Sequence, residues 1–361
     1  MYKSTPSESK AATIGFLLFL AILTVLAVTP TYFVSEAGSR DKKGLNQQTS
    51  SHDDDLPNYD IRTDKSSYGK LAAFRGSQNL SAAKVADIRE SFVRGEELLR
   101  ASVPSLKVEY NLDIRIPEVI APDVAQGNAF LTKASSGKRS DVLLDFLRQH
   151  KDLVGASDMQ VDGLKVFSDY TNPDGNLSFV ELNQEINGVP VFRGEIKAGF
   201  TKNGEMIRVI NNFAPGLNYE SLSTDFGDPA VAVRAAAANT KNTIREGDLT
   251  PTKDGSTDLK VVFGNRDWGT LAEKMYFPTE PGVAVPAWRV MIAGTVGTYY
   301  VIVDAQTGTM LWRKNLAEDQ TQSATYNVYT NPNAMINVAE NPFPLTPGPV
   351  NPGLGTQGPA L

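Results

Sequence analysis

Hydrophobic positions change period along this chain, and the changes mark its parts. Between residues 82 and 101, Val85, Ile88, Phe92 and Leu99 recur at helical spacing behind Ser81, a residue suited to cap the first turn. A second helical stretch begins at Ser140 and carries Leu143, Leu144, Phe146 and Leu147 on one side. From Leu164 the apolar residues alternate instead, which predicts strands over 164–170, 177–186, 189–200 and 206–213. Turn residues separate them: Asn172-Pro173-Asp174-Gly175, Asn187-Gly188 and Lys202-Asn203-Gly204. Asn-Gly between two alternating runs is the strongest short hairpin signal, because both positions must accept a positive φ. Asp228-Pro229 then opens an alanine-rich helix over 230–239, an N-cap followed by proline at the first helical position. Strands follow at about 258–264, 271–278, 285–293, 298–303 and 309–314, the last pair joined through Thr307-Gly308. The pattern predicts an α+β protein with a helix-then-antiparallel-sheet unit occurring twice, at about 140–215 and 228–315.

Both ends depart from this pattern. Residues 11–35 hold no charge behind Lys3 and Lys10, and 14–28 are almost continuously apolar. Such a segment is an export signal, with a small-x-small site for cleavage after Ala37, or else a signal anchor retained over 11–35. Residues 38–80 are polar and turn-rich and read as a disordered linker, the acidic run Asp53-Asp54-Asp55 beside His52 being a solvated cluster. In 341–361, 10 of 21 residues are Pro or Gly and none is charged, which reads as an extended junction that another domain should follow.

Composition then narrows the chemistry. The chain has 361 residues, 41% of them hydrophobic, and a formal charge of -6. Such a balance suits a globular body and argues against nucleic acid as a partner. With no cysteine there is no disulfide, thiolate nucleophile or Cys-ligated metal. There are two histidines, His52 and His150. The first lies in the linker and the second at a helix end, where it should meet the terminal carbonyls. There is no H-E-x-x-H, G-x-S-x-G or Walker loop. Gly353-Leu354-Gly355-Thr356-Gln357-Gly358 matches G-x-G-x-x-G, but neither strand nor helix flanks it. Asn172, Asp174, Gly175 and Glu181 imitate a calcium loop whose first ligand position is Tyr170, so a plain turn is expected. Asn79-Leu80-Ser81 and Asn176-Leu177-Ser178 are glycosylation sequons only where a host uses them. Glu181, Glu185 and Glu195 fall at strand positions that should face solvent. No catalytic or metal-ligating residue can be named.

Two segments carry a resemblance. Gln184, then Asn187-Gly188-Val189-Pro190-Val191-Phe192, then the Gly204 turn and its following strand, resemble the FTP module, the fungalysin/thermolysin propeptide motif. The strand around Trp288 and the hairpin Asp304-Ala305-Gln306-Thr307-Gly308 are similar to the PepSY-type half of such propeptides. Residues 324–329 and the proline-rich tail resemble the junction into the mature enzyme of bacterial fungalysin-type metallopeptidases. The resemblance implies a signal over 1–37, the linker over 38–80, an FTP-like subdomain over 81–220, a PepSY/cystatin-like subdomain over 221–316 and a junction over 317–361. It further implies an exported protein, extracellular or periplasmic. Its partners would be the export machinery, the membrane, and a cognate metallopeptidase domain met in cis or in trans. That absent domain, not this chain, would hold the zinc and the catalysis. The implied role is folding partner and inhibitor of the peptidase; a free-standing exported binding module is the alternative.

Overall fold

The computed structural model describes residues 56–316, apart from 128, 265–269 and 295–296, together with the backbone of 325–328 and 353–356. The expectations for residues 1–37, for 38–55 and for most of 317–361 lie outside the described residues. Among the described residues, no helix is long and apolar enough to cross a membrane.

The fold is α+β, with a large, mostly antiparallel sheet and few helices. Its first half begins with α2 (Ala82–Ser102; α1 is described below), whose Ser81 hydroxyl accepts from Lys84 N at 3.1 Å. The strands β2 (Leu106–Tyr110) and β3 (Pro117–Pro122) follow, then α3 (Arg139–Gln149), α4 (Lys151–Val154) and α5 (Asp158–Asp162). Four strands come next: β4 (Lys165–Thr171), β5 (Leu177–Ile186), β6 (Val189–Thr201) and β7 (Met206–Asn211). They pair β4-β5-β6-β7-β3-β2, all antiparallel. Val180, Leu182, Ile196, Ala198, Phe200 and Val209 point from these strands into one core. Leu99 and Val103 from the end of α2, and Leu143, Phe146 and Leu147 of α3, close that core from the helical side.

The second half starts with α6 (Pro229–Asn239), whose Asp228 carboxylate accepts from Ala230 N at 2.8 Å. Its strands are β8 (Pro251–Thr252), β9 (Lys260–Phe263), β10 (Thr270–Glu280), β11 (Val283–Gly294), β12 (Gly297–Asp304) and β13 (Met310–Asn315). They pair β8-β9-β10-β11-β12-β13. Ala232, Val233, Ala236 and Ala237 of α6 pack on Tyr276, Trp288, Tyr299, Val301 and Val303. Alanine on the inner stripe of α6 lets the helix lie close to the sheet.

Two differences from expectation stand out. Residues 56–80, expected as part of a linker, are ordered. They form β1 (Tyr59–Asp60), which extends the sheet beside β13, a 3-10 turn at Lys65–Ser67, and α1 (Tyr68–Ser77). The reason is an unmet hydrophobic demand. β11 is apolar on both faces (Val283, Ala284, Val285, Ala287, Trp288, Val290 and Ile292 are all buried), and α6 covers one face alone. Ile61, with no exposed surface, and the half-buried Leu71 and Phe74 cover Met275, Phe277, Val285, Ala287, Ile302 and Leu311 on the other.

The two sheets, moreover, are not separate. β10 pairs in parallel with β6 at Tyr276↔Val191, which joins them into one thirteen-stranded network. Further along, β14 (Thr325–Val328) and β15 (Gly353–Thr356) pair antiparallel. The first four residues of the G-x-G-x-x-G match thus lie in a strand, where the dinucleotide fingerprint has its turn.

Candidate docking surface

The residues that carry the propeptide resemblance are structural, and several join the two halves of the sheet. Asn187 (φ 53°) and Gly188 (φ 78°) make a two-residue hairpin turn closed by Ile186↔Val189. Beyond it β6 is bulged: Glu185 faces Pro190 and Asn183 faces Glu195, so residues 191–194 lie opposite Gln184 alone. Arg193 sits at φ 53° within that bulge. The hairpin tip is thereby swung away from the first sheet and laid alongside β10. Ile186, Val189 and Val191 enter the core beneath α6, while Pro190 stays exposed. Phe192 turns to the opposite face of the second sheet and stacks on Phe277 at 5.1 Å between ring centres, with Trp312 at 5.3 Å.

Gln184 is 2% exposed. Its Nε2 donates to Ala214 O (3.1 Å) and to Tyr219 Oη (2.9 Å), and its Oε1 accepts from Ala214 N (2.9 Å). Gln160 Nε2 donates to Leu217 O at 3.0 Å, so two buried carboxamides hold the connection between the halves. Burial raises the pKa of the Tyr219 phenol, opposed in part by these carboxamides. Gly204 (φ 80°) turns β6 into β7 where a Cβ would lie 2.0 Å from Ser135 O, so no other residue fits. Trp288 Nε1 donates to Phe226 O at 2.6 Å and its indole meets the Phe226 ring edge-on. Asp304 Oδ1 accepts from Thr307 N (2.7 Å) and Thr307 Oγ1 (2.6 Å), closing the last hairpin, with Gly308 at φ 67° beside it.

His150 does not use its ring on the helix carbonyls as expected. Its backbone N–H bonds Phe146 O at 3.0 Å, and the ring packs on Phe146 with centres 4.6 Å apart. Burial lowers its pKa from the ordinary 6.5. The calcium-like loop is a β-turn, with Gly175 N bonded to Asn172 O at 2.9 Å between strands β4 and β5. Among the described residues there is no group of three His, Asp or Glu side chains able to hold a metal.

What the fold does leave open is the outer face of the first sheet and its edge. No helix covers that face among the described residues; Phe179, Glu181 and Asn183 of β5 and Glu195 and Lys197 of β6 project from it, partly or fully exposed. Lys197 Nζ lies 3.6 Å from Glu181 and 3.9 Å from Glu195, which makes those carboxylates part of a solvated ion cluster rather than an acid–base pair. Among the described residues β4 pairs with β5 alone, so its other edge offers free backbone groups. It also displays apolar side chains: Val166 is 55% exposed, Phe167 68% and Tyr170 56%, the last stacked on Phe179 at 5.3 Å. A bulge between Val166 and Ser168 puts Phe167 outside the ladder. Three large apolar side chains on one seven-residue edge strand exceed what scattered surface hydrophobes need. The alternation of β4 was legible in the sequence; its edge position was not, because only tertiary pairing decides which strand ends a sheet.

Comparison with known proteins fits this geometry. Residues 162–213 match the Fungalysin/Thermolysin Propeptide Motif, a span running from the end of α5 through β4, β5, β6 and β7. No curated protein matches the sequence. One solved structure, the Bacillus megaterium YpeB C-terminal domain, aligns with 58% of this chain and 75% of that one at 12% identity and a TM-score of 0.23, too distant a likeness to bear on the fold. The matched propeptide motif, 52 residues long, contains both the tie between the halves and the exposed edge strand.

Proposed function

We propose that this chain is the propeptide region of a secreted, fungalysin-like zinc metalloendopeptidase, acting as folding partner and inhibitor of the peptidase domain. The observation that carries the reading is the propeptide motif at 162–213, folded as a hairpin sheet with one bare face and an apolar edge. The second half, around Trp288 and the Asp304–Gly308 hairpin, takes the PepSY-type role in this reading. The protein is exported and its zinc belongs to the peptidase domain; the chain itself performs no catalysis.

The physics needs only a surface and a tether. A body that binds the folded peptidase and not its unfolded chain stabilises the fold by mass action. Covalent linkage supplies an effective concentration of roughly millimolar, so modest intrinsic affinity suffices until the connection is cut. Without cysteine, latency rests on covering the cleft rather than on a thiolate at the metal. The β4 edge suits such a surface, because free backbone groups give register and Val166, Phe167 and Tyr170 give area.

The test uses the purified chain and a fungalysin-type peptidase domain from the same genome. Addition of the chain should speed refolding of that domain and slow its peptide hydrolysis. The variant V166S/F167S/Y170S should keep its fold and weaken both effects about tenfold, the loss of roughly 1.4 kcal/mol of apolar contact. No change in refolding or hydrolysis at concentrations that saturate a measured complex would falsify the proposal.

A further inference from the structure

We propose that residues 56–64 are a releasable clasp that fixes the orientation of the two sheet halves, with Arg62 as its pin. This goes beyond the propeptide reading and does not depend on it.

The clasp is short and held at its ends. Leu56 N donates to Tyr299 Oη at 3.1 Å, and Arg313 donates twice to Pro57 O at 2.8 and 3.1 Å. Asn315 N donates to Asn58 Oδ1 and Ile61 N to Leu311 O, each at 2.9 Å. β1 contributes two residues of ladder, Tyr59↔Arg313 and Asp60↔Trp312. With so little regular pairing, the segment is held by these separate bonds and by two buried side chains, Ile61 and Arg62.

Arg62 is where the parts meet. Its side chain is 3% exposed. Nε and Nη2 grip Asp60 at 2.9 and 2.6 Å, and Nη2 also reaches Asp113 Oδ2 at 2.7 Å in the connection between β2 and β3. Its guanidinium lies 4.8 Å from the ring centre of Phe277 in the second half and 5.7 Å from that of Phe192 in the first. Arg193 adds a second donor to Asp113 at 3.2 Å and lies 5.4 Å from the ring centre of Phe192. One buried cation thus touches the clasp, the β2–β3 connection, β6 and β10. Two anions compensate it and two aromatic rings exclude water from it, the setting in which such bonds are strong.

Topology gives this contact leverage. Residues 82–213 are tied to the second sheet at both ends. At one end α1 and its C-cap lead into α2, with Arg75 on Glu280 at 2.9 Å and Gln78 Nε2 on Ala284 O at 2.5 Å. At the other, Gly282 N bonds Pro215 O at 2.8 Å. Between the sheets themselves the backbone pairing is the single register point Tyr276↔Val191. Packing of Ile186, Val189 and Val191 beneath α6 holds the joint at its axis, where the ladder has one contact, and the guanidinium contact on Asp113 and Phe192 braces it away from that axis. Opening the clasp uncovers the outer face of the second sheet around Ile61, leaves the cores beneath α3 and α6 in place and loosens the angle between them.

The experiment cuts the folded chain rather than deleting residues from it. A protease recognition sequence is placed at the exposed Thr63–Lys65 turn, the full chain is folded and cut, and hydrogen exchange is followed with the distance between spin labels at Lys165 and Lys314. Cutting should widen the label distance distribution. It should also lower protection about tenfold at 188–194, 111–116 and 311–315, while α3 and β5 keep theirs. R62A in the uncut chain should do the same more weakly, and R62K, which retains charge without the planar fork, should fall between it and the parent. Unchanged distances and protection after complete cutting would overturn the clasp. So would equal loss of protection in α3 and β5, since that outcome makes residues 56–64 ordinary core.

Discussion

Replacing Gln184 with leucine isolates the polar link that holds the two halves' connection in place. The side chains are similar in volume, so no cavity is made. What disappears is a set of three hydrogen bonds, two to the backbone of Ala214 and one to Tyr219. Ala214 is 1% exposed, so its N–H and C=O lose their partner where water does not readily replace it. Three bonds at about 1 kcal/mol each, with a further penalty for buried groups left unpaired, set a gross cost of about 3–5 kcal/mol. Leucine recovers about 1 kcal/mol because it is cheaper to bury than a carboxamide. The expected destabilisation is therefore about 2–4 kcal/mol, read as a lower urea midpoint at unchanged m. Q184E should be no better, since it keeps one acceptor, loses both donors and buries a charge. A loss below about 1 kcal/mol in both variants would refute the reasoning that the carboxamide, rather than apolar packing, secures residues 214–219.

Two further outcomes follow from local geometry. G204A should destabilise by more than about 1 kcal/mol, because φ is 80° and the added Cβ has backbone 2.0 Å away; thermal melting within error of the parent contradicts that. His150 should make the fold acid-sensitive: its folded pKa lies below the ordinary 6.5, so its contribution is complete above that value and is lost as pH falls towards the folded pKa. Stability measured between about pH 7 and pH 5 should accordingly fall less in H150Q than in the parent, and parallel curves would show the ring to be inert.

Local signals carried much of the fold. Strand β5 coincides with its expected 177–186, and β6 and β7 begin at the residues expected, because Asn187-Gly188 and Lys202-Asn203-Gly204 punctuate clean alternation. The caps Ser81 and Asp228 likewise placed their helices. What was missed depended on partners distant in the chain. Leu106, Val108 and Tyr110 alternate, yet a five-residue strand without a flanking hairpin turn does not announce itself. Residues 56–80 are polar enough to read as linker. Their order follows from the second face of β11, and the unbroken apolar run 283–288 was the available sign that two layers had to cover it. The resemblance singles out Gln184, Val191 and Phe192; the Gln184 carboxamide bonds Ala214 and Tyr219, while Val191 and Phe192 pack on the neighbouring sheet. Which sheet a residue serves is decided by the bulge at 191–194, a backbone event with no composition of its own. The exposed apolar edge is hidden in the sequence for a similar reason, since Phe167 and Tyr170 look like core residues until β4 is seen to end its sheet among the described residues.

That bulge has a consequence for how such a protein can be inherited. By sending the tip of one hairpin into its neighbour's interior, the chain lends Val191 and Phe192 of the first half to the two faces of the second sheet. A recombination event that exchanged either half alone would leave a socket without its plug. The halves should therefore travel through evolution as a pair, and relatives carrying one without the other should show polar residues where this chain has Val191, Phe192, Tyr276 and Phe277.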